Sequence, residues 1–281
     1  MRLDLHVHTT ASDGSSSPAE VVRLAANGGL DVLAITDHDT VAGIPAALEA
    51  AANTSLQLIP GIEVSSTHEG AEYHILGYFV DPQSDAIQAH GRHAVRGRES
   101  RIDQMVGRLR RQGLLIEMSD VLDAAGPDRS AIARPHLARA LVVKGYASSV
   151  VDAFDRLIGD GHPAYVPTGL ATPEEAIGLI LEAGGTPVWA HPPMHVLTRL
   201  LSTFIGAGLK GLEVYRPRAT AGHIRKLERA AKAAGILMTG GSDWHDGERG
   251  HAPGTFFVPE EDVGELLEAG GMSGRSSERQ E

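Results

Sequence analysis

The chain has 281 residues, of which 42% are hydrophobic and 22% charged, and its formal net charge is −11. This length suffices for one large α/β domain or a domain with an insertion, and the acidic balance argues against a non-specific nucleic-acid coat, which needs a basic surface. Because the chain has no cysteine, disulfides, thiolate zinc sites and a cysteine nucleophile are excluded, and a metal would be held by His, Asp and Glu. Without a long apolar run or a signal segment, we expect a cytoplasmic protein with no membrane contact.

Short β-branched runs alternate with alanine-rich segments at the start of the chain. Strands are predicted, in chain order, for RLDLHVH, DVLAIT, LQLIPGIEVSS and EYHILGYFV. A helix is predicted for SPAEVVRLAANGG, with Ser17 as the N-cap, Pro18 at the first position and Glu20 completing a capping box. A second helix is predicted for GIPAALEAA, and we expect Asp39 or Thr40 to cap it.

The pattern changes between residues 85 and 165, where several helical patterns occur and no strand is predicted. One helix has an apolar stripe at i, i+3, i+4 and i+7, formed by Ile102, Met105, Val106 and Leu109. We interpret this segment as an inserted helical cap. After it, strands are predicted for TPVWA, GLEVY, ILMTGGSD and TFFV, with helices near 172–184, 195–207 and 220–235 between them.

Repeated βα units favour a parallel barrel or a doubly wound sheet. The chain is accordingly divided into an α/β domain formed by residues 1–84 and 166–268, the cap of residues 85–165, and a disordered tail, residues 269–281.

Polar side chains gather where the predicted strands end. His6 and His8 lie two residues apart and point to one face of a strand, and Asp243 and His245 have the same spacing. Four more such residues lie at or near predicted strand ends, namely His38, Glu63, His74 and His191. In α/β barrels this rim collects the functional side chains. A buried, unpaired Glu63 would be costly, whereas as a bridging ligand between two divalent ions its charge is compensated.

Each of these residues also has a structural interpretation when it is taken alone. His74 could be a hydrogen-bonded core histidine, and His191 before Pro192 could simply end a strand. Together with Asp13, which lies in the loop after the first strand, these residues make six histidines and three carboxylates at six separate strand ends, and this favours a metal site over core packing.

Six segments resemble, in their order along the chain, the motifs of the PHP family, named for its polymerase and histidinol phosphatase members. They are DLHVHTTASDG, AITDHD, PGIEVSS, HILGY, AHP and GSDWH, and the resemblance runs from residue 3 to about 258. It implies a distorted seven-stranded (β/α) TIM-like barrel, here with an inserted helical cap, a trinuclear metal site and phosphoesterase activity. The ligands it implies are His6, His8, Glu63 and Asp243 for the first metal, Glu63, His74 and His191 for the second, and Asp13, His38 and His245 for the third.

The segment ARPHLARAL resembles the subgroup of that family that acts on nucleoside 3',5'-bisphosphates and on the 5' ends of short RNAs. This resemblance implies that Arg134 and His136 contact the substrate phosphate from the cap. Alternatively, Arg134 makes a surface salt bridge and His136 opens a helix after Pro135.

The expected chemistry uses two to three divalent ions, Mn, Fe or Zn, which suit ligands of this kind. A metal-bridging water held by Glu63 would attack phosphorus, while Arg134 neutralises the phosphate oxygens and His136 could protonate the leaving group. The expected reaction is phosphate release from a nucleoside 3',5'-bisphosphate, a small phosphorylated nucleotide. The alternatives are a 5'-3' exoribonuclease on short 5'-phosphorylated RNA ends, a histidinol-phosphate phosphatase, an amide hydrolase, and a non-catalytic metal-binding module. No obligate protein partner is expected.

The cap has its own charge balance. From Arg92 to Lys144 there are ten Arg and one Lys against six acidic residues, a local charge of +5 in an acidic chain. We expect some of these arginines to face the metals and hold a second phosphate. The alternative places Arg101, Arg108 and Arg111 on solvent-facing sides of amphipathic helices.

Overall fold

The fold is known from a computed structural model, which describes residues 1–126, 132–245 and 252–272. The strands are β1 (Arg2–Val7), β2 (Val32–Ile35), β3 (Gln57–His68), β4 (Ala71–Tyr78), β5 (Thr186–Trp189), β6 (Gly211–Tyr215), β7 (Leu237–Gly240) and β8 (Val258–Pro259). The helices outside residues 85–165 are α1 (Pro18–Asn27), α2 (Ile44–Ala51), α7 (Pro173–Glu182), α8 (Leu197–Gly206), α9 (Ala221–Ala234) and α10 (Glu260–Ala269). Between α2 and α7 lie α3 (Asp85–Arg111), α4 (Met118–Ala125), α5 (Arg134–Val143), α6 (Val150–Ala153) and a π-helical turn, Phe154–Ile158.

All eight strands belong to one sheet, in the order β7-β6-β5-β4-β3-β2-β1-β8. The sheet curls until the segment after β7 meets β1, where Val7 pairs with Trp244 in parallel. Two hydrogen bonds hold this junction, from the N–H of His8 to the carbonyl of Trp244 at 2.9 Å and from the N–H of Asp243 to the carbonyl of His6 at 2.8 Å. The sheet is therefore a nearly closed barrel, and the predicted α/β barrel is confirmed.

One strand of the barrel runs against its neighbours. β4 is antiparallel to both β3 and β5, whereas β1, β2 and β3 are mutually parallel, as are β5, β6 and β7. The reversal follows from the tight turn between β3 and β4, where Glu69 and Gly70 have φ angles of 52° and 81°. β8 pairs antiparallel with the start of β1, and it contains only Val258 of the predicted strand TFFV.

The start of α1 matches its prediction in two of three features. Ser17 is the N-cap and accepts a hydrogen bond from the N–H of Glu20 at 3.3 Å, and Pro18 is the first helical residue. The capping box is absent among the described contacts, because the Glu20 carboxylate accepts from Arg23 at 2.8 Å instead. The predicted cap of α2 is wrong, since that helix begins after Gly43, which makes no side-chain cap.

Residues 85–165 contain no strand among their described residues and pack a core of their own. The predicted stripe on α3 is confirmed, because Ile102, Met105, Val106 and Leu109 are all at most 4% exposed. They pack against buried residues of α4, α5 and the π-helical turn rather than against the barrel sheet. We therefore propose residues 85–165 as the inserted cap.

The end of the described chain packs onto the barrel. α10 contributes Val263, Leu266 and Leu267 to a buried cluster with β1 and β2. The predicted tail begins inside this helix end, and its residues 273–281 lie outside the described residues. No helix in the described part of the chain is long and apolar enough to cross a membrane.

Candidate metal centre

The predicted ligands meet at one rim of the barrel, where the parallel strands end. Seven of the nine lie at strand ends or in the loops that follow: His6 and His8 at the end of β1, Asp13 in the next loop, His38 after β2, His191 after β5, and Asp243 and His245 after β7. Glu63 and His74 instead lie within β3 and β4, so their predicted position at strand ends is wrong. The reason is that the β3–β4 hairpin continues beyond the rim.

Four side chains converge at the centre of this rim. His6, His8, Glu63 and Asp243 form a group whose ligand atoms all lie within 4.8 Å of one another. The Nε2 atoms of His6 and His8 lie 3.3 and 3.2 Å from Oε2 of Glu63, and each lies 3.3 Å from Oδ1 of Asp243. Two nitrogens and two carboxylate oxygens therefore face one point.

Glu63 also contacts three other histidines. His38 Nδ1 lies 3.1 Å from its Oε2, while His74 Nδ1 and His191 Nε2 each lie 3.0 Å from its Oε1. The two oxygens of one carboxylate thus face different sets of imidazoles, which is the arrangement that a bridging ligand needs. His38, Glu63 and His74 form a second compact group of possible ligands. The family motifs imply His191 rather than His38 as the third member of this group.

A third group surrounds Asp13. Its Oδ1 lies 3.4 Å from Nε2 of His245 and 3.9 Å from Nδ1 of His8, and its Oδ2 lies 3.9 Å from Nε2 of His38. The structure therefore brings together all three residues predicted for the third site and adds His8. A neutral imidazole offers one lone pair, so His8 and His38 can each serve only one ion at a time.

The donor set fits divalent cations. Among the described residues, Nδ1 of His8, Nδ1 of His38 and Oε2 of Glu63 are buried and have no hydrogen-bond partner. Buried polar atoms without partners are costly, and a coordinated cation would satisfy them. Nitrogen and oxygen donors without sulfur suit Mn²⁺, Fe²⁺ and Zn²⁺.

The surrounding imidazoles favour the ionised form of the carboxylates in this centre. Burial alone would raise the pKa of Glu63, but the imidazoles of His38, His6 and His74 hold that pKa well below its ordinary value. Burial likewise opposes ionisation of Asp243, whose pKa is held low by His6 and His8. Ionised carboxylates are the form that binds metal.

Two buried carboxylates that the sequence analysis missed support the ligands. Glu213 is fully buried, and its carboxylate accepts from Nδ1–H of His6 at 2.8 Å and from the N–H of His191 at 2.6 Å. Asp37 holds the loop before Asp13, since it accepts from the N–H and hydroxyl of Thr9, both at 2.7 Å. A signal for Glu213 was present, because GLEVY places a carboxylate inside an otherwise apolar strand.

Three arginines of the cap lie near the centre, and each forms an ion pair with a carboxylate. Asp39 does not cap a helix; its carboxylate binds Arg98, and it also accepts from the N–H of Ser65 at 2.8 Å. Glu72 lies 2.8 Å from Arg101 and 3.1 Å from Arg134, and a hydrogen bond with His74 together with these two arginines holds the pKa of this carboxyl low against the effect of burial. The alternative of a solvent-facing Arg101 is therefore wrong.

A cavity of about 150 Å³ lies between these arginines and the metal centre. Its lining includes Asp13, His38, His74 and His245 on the barrel side and Arg98, Arg101 and Arg134 on the cap side. His136 is only 2% exposed, and its Nδ1 accepts from the N–H of Ala133 at 2.9 Å at the start of α5.

Strained backbone occurs around the same centre. Left-handed φ angles at non-glycine residues are uncommon, and they tend to mark functional sites. Such residues here include Asp39, His191, Arg218 and Asp243, with φ angles of 57°, 31°, 65° and 53°.

Comparison with known proteins agrees with this geometry. The PHP domain profile matches residues 4–125. The chain is 34% identical over 263 residues to the 3',5'-nucleoside bisphosphate phosphatase of Chromobacterium violaceum, covering 90% of each chain. It is 34% identical over 249 residues to the 5'-3' exoribonuclease Rnm of Salmonella typhimurium, covering 86% of this chain and 84% of that one. A solved structure from Bifidobacterium adolescentis, described as a metal-dependent phosphoesterase, matches with a TM-score of 0.85 at 33% identity, over 94% of this chain and 95% of that one.

The barrel and its rim of histidines and carboxylates define a metal-dependent hydrolase that acts on phosphoester bonds. The chain belongs to the PHP family, and its phosphoesterase activity depends on divalent metal ions.

Proposed function

We propose that this phosphoesterase hydrolyses nucleotide monoesters, with a nucleoside 3',5'-bisphosphate as its preferred substrate. The observation that carries the proposal is the cavity in which Arg98, Arg101 and Arg134 face the metal centre. Three guanidinium groups stand there, paired with Asp39 and Glu72 inside the site and, for Arg134, also with the exposed Asp160 at 2.7 Å. Guanidinium groups bind phosphate oxygens through two parallel hydrogen bonds, and three of them beside a centre that would hold divalent cations suit a substrate with more than one phosphate.

The proposed cofactor is two to three divalent ions, Mn, Fe or Zn. The residues that would hold them are His6, His8, Glu63 and Asp243 for the first, Glu63, His74 and His191 for the second, and Asp13, His38 and His245 for the third. Bound divalent ions supply Lewis acidity and lower the pKa of water, so that hydroxide becomes available at neutral pH to attack phosphorus.

The chain's own groups orient the reaction. Glu63 lies between the imidazole sets and fixes where the attacking water is held. Glu213 accepts the Nδ1 proton of His6, which leaves the Nε2 lone pair of that imidazole aimed at the centre. Arg134 is only 16% exposed and turns its guanidinium toward the cavity, where it can neutralise phosphate oxygens. Nδ1 of His136 accepts from the N–H of Ala133 in the first turn of α5, so the contact that we propose between His136 and the substrate phosphate would be made by its Nε2.

The test is phosphate release by Mn²⁺-loaded protein. A 3',5'-bisphosphate is expected to exceed the matching 5'-monophosphate by tenfold or more in kcat/KM, since one charge-assisted contact is worth about 1.5 to 3 kcal/mol. Arg134→Ala should remove this preference without removing metal, while Arg110→Ala, at an exposed position of α3, should behave as wild type. Equal rates on both substrates would contradict the proposal.

A second candidate activity is the 5'-3' hydrolysis of short RNA. It is favoured by another cavity, of about 250 Å³, that opens on Asp243 and His245 and is lined by Pro135, Arg139 and Phe154. A centre that opens on more than one side can accept a chain longer than one nucleotide. Adding a 5'-phosphorylated dinucleotide and histidinol phosphate to the same assay tests this activity and the histidinol-phosphate alternative.

A further inference from the structure

A cavity of about 320 Å³ lies between residues 216–218, which follow β6, and the described residues 242–245, 252, 255 and 256, which follow β7. Its lining includes Asp243 and His245, so it opens directly on the metal centre. The arginine cavity under the cap shares only His245 with it. A substrate whose phosphate lies at the metal centre could therefore extend into this β6–β7 cavity while the cap holds another part.

The walls of the β6–β7 cavity are partly aromatic. Trp244, Phe256 and Pro217 present apolar surface, and Thr255 adds a hydroxyl. Phe256 is half-buried and also packs against the apolar cluster of β1, β2 and α10. Flat apolar walls beside a charged centre suit a planar aromatic group, and cavities of about 300 Å³ are at the lower end of the range for small-molecule sites.

Two arginines also line the cavity, and within the described part of the chain their charges are less compensated than those under the cap. The nearest carboxylate oxygen to Arg216 Nε is on Glu213, 3.7 Å away, and in the described part of the chain this nitrogen has no hydrogen-bond partner. Arg218 is exposed, and no ion pair to it occurs among the described residues. In contrast, Arg98, Arg101 and Arg134 are each paired with a carboxylate.

We infer that the β6–β7 cavity binds the base of the nucleotide whose phosphate is held at the metal centre. The base stacks against Phe256, and the guanidinium groups of Arg216 and Arg218 lie over its edge or face. This inference rests on the proposed function and deepens it, because a phosphate ester without an aromatic base would leave the cavity unused.

The kinetic test compares two neighbouring phenylalanines. Phe256→Ala should lower kcat/KM for an adenosine 3',5'-bisphosphate by tenfold or more, while changing the value for a base-free ribose phosphate less than twofold. Phe257→Ala is the matched control, because Phe257 is 40% exposed and stacks on Arg2 at 4.2 Å, outside the cavity. Equal losses on both substrates, or no loss on the nucleotide, would overturn the inference.

A second variant, at an exposed position, distinguishes a loss of binding from a folding defect. Arg218→Asn removes a guanidinium from an exposed position, and Asn tolerates the left-handed backbone there. It should lower kcat/KM for the nucleotide about fivefold and leave the base-free ester unchanged. An unchanged value for the nucleotide would count against a role for this side of the cavity.

A binding measurement separates this inference from the proposed function. Adenosine carries no phosphate, so its binding can be measured whether or not the protein hydrolyses phosphate esters. The chain has two tryptophans, Trp189, which is fully buried, and Trp244, which lines the cavity. Adenosine should therefore change tryptophan fluorescence saturably in wild type and Phe257→Ala, and at least fivefold higher concentrations should be needed in Phe256→Ala.

The outcomes are distinct. If no nucleotide is hydrolysed but adenosine binds as described, the proposed function fails and the base site stands. If nucleotides are hydrolysed but adenosine shows no saturable effect, or the same effect in Phe256→Ala, the base site is refuted.

Discussion

Glu63 is the residue on which the metal centre converges. Its two carboxylate oxygens lie within 3.3 Å of five imidazoles, those of His6, His8, His38, His74 and His191. One buried carboxylate cannot satisfy so many nitrogen atoms by hydrogen bonds alone. Glu63 is thus suited to bridge two cations, with one bound to each of its carboxylate oxygens.

A first prediction concerns the residue behind one of these imidazoles. Glu213→Gln leaves one carbonyl oxygen for two donors, the Nδ1–H of His6 and the N–H of His191. Metal affinity should fall about 10- to 100-fold, because the group that orients His6 is weakened. Titration of metal-free protein with Mn²⁺ in competition with a chromophoric chelator measures this. Glu228→Gln on the half-exposed face of α9 is the control, and unchanged affinity in Glu213→Gln would refute the assigned role.

Residues of this site differ in how far the sequence alone could identify them. The ligands occur in short motifs such as HVH and SDWH, whose spacing already places two side chains on one face. Glu213 is 207 residues from His6, and the pairing of Glu72 with Arg101 joins positions 29 apart, so no local spacing reveals either contact. Local motifs predicted the residues that we propose as ligands, and long-range packing determines their partners.

At the scale of elements, the close approach of β1 to the loop after β7 positions Asp243. Gly241 is the point of contact, because a Cβ atom added there would lie 2.3 Å from the backbone nitrogen of His6 and 2.5 Å from its Cβ. No side chain can move aside to relieve a contact with backbone. The glycine is therefore required for closing the barrel.

A second prediction follows for Gly241→Ala. The variant should lose about 1 to 3 kcal/mol of unfolding free energy, as overpacked sites do, and should bind less metal because Asp243 is displaced. Denaturant unfolding and elemental analysis measure the two effects. Gly206→Ala is the matched control, since nothing lies within 4 Å of its added Cβ beyond its own helix. A Gly241→Ala protein with normal metal content would show that the junction tolerates movement.

The sequence alone does not predict that β4 is antiparallel to its neighbours. The runs LQLIPGIEVSS and EYHILGYFV predict two strands, and both form. Whether they are joined by a crossover or by a hairpin depends on the turn at Glu69 and Gly70 and on which neighbours the barrel offers. This is why Glu63 and His74 were placed at strand ends although they lie within an extended hairpin.

The whole molecule combines an acidic chain with a centre that requires cations. The net charge is −11, yet the segment from Arg92 to Lys144 is basic and its Arg98 and Arg101 are buried next to the centre. Global charge therefore does not describe what a substrate meets at the rim. The α/β class and the helical segment followed from periodicity, whereas barrel closure and β8 depend on contacts between the two ends of the described chain.

A third prediction tests metal dependence of the whole fold. Chelation should abolish phosphate release and lower the melting temperature by roughly 5 to 10 °C, since ligand present at about 100 times its Kd stabilises by about 2.7 kcal/mol. Thermal unfolding with and without chelator measures this, and Mn²⁺ should restore both properties. An unchanged melting temperature together with full activity would contradict a metal centre at this rim.

Because Val7 pairs with Trp244, the group of His6, His8, Glu63 and Asp243 can assemble only after the segment that follows β7 has been synthesised. Asp243 is added to the growing chain about 235 residues after His6 and His8. At ordinary elongation rates the two histidines wait roughly 10 to 50 s for this partner. A nascent chain interrupted before β7 cannot assemble the four-residue group, however well its first half has folded. Cation binding by this group of four therefore requires a chain that has been synthesised past β7.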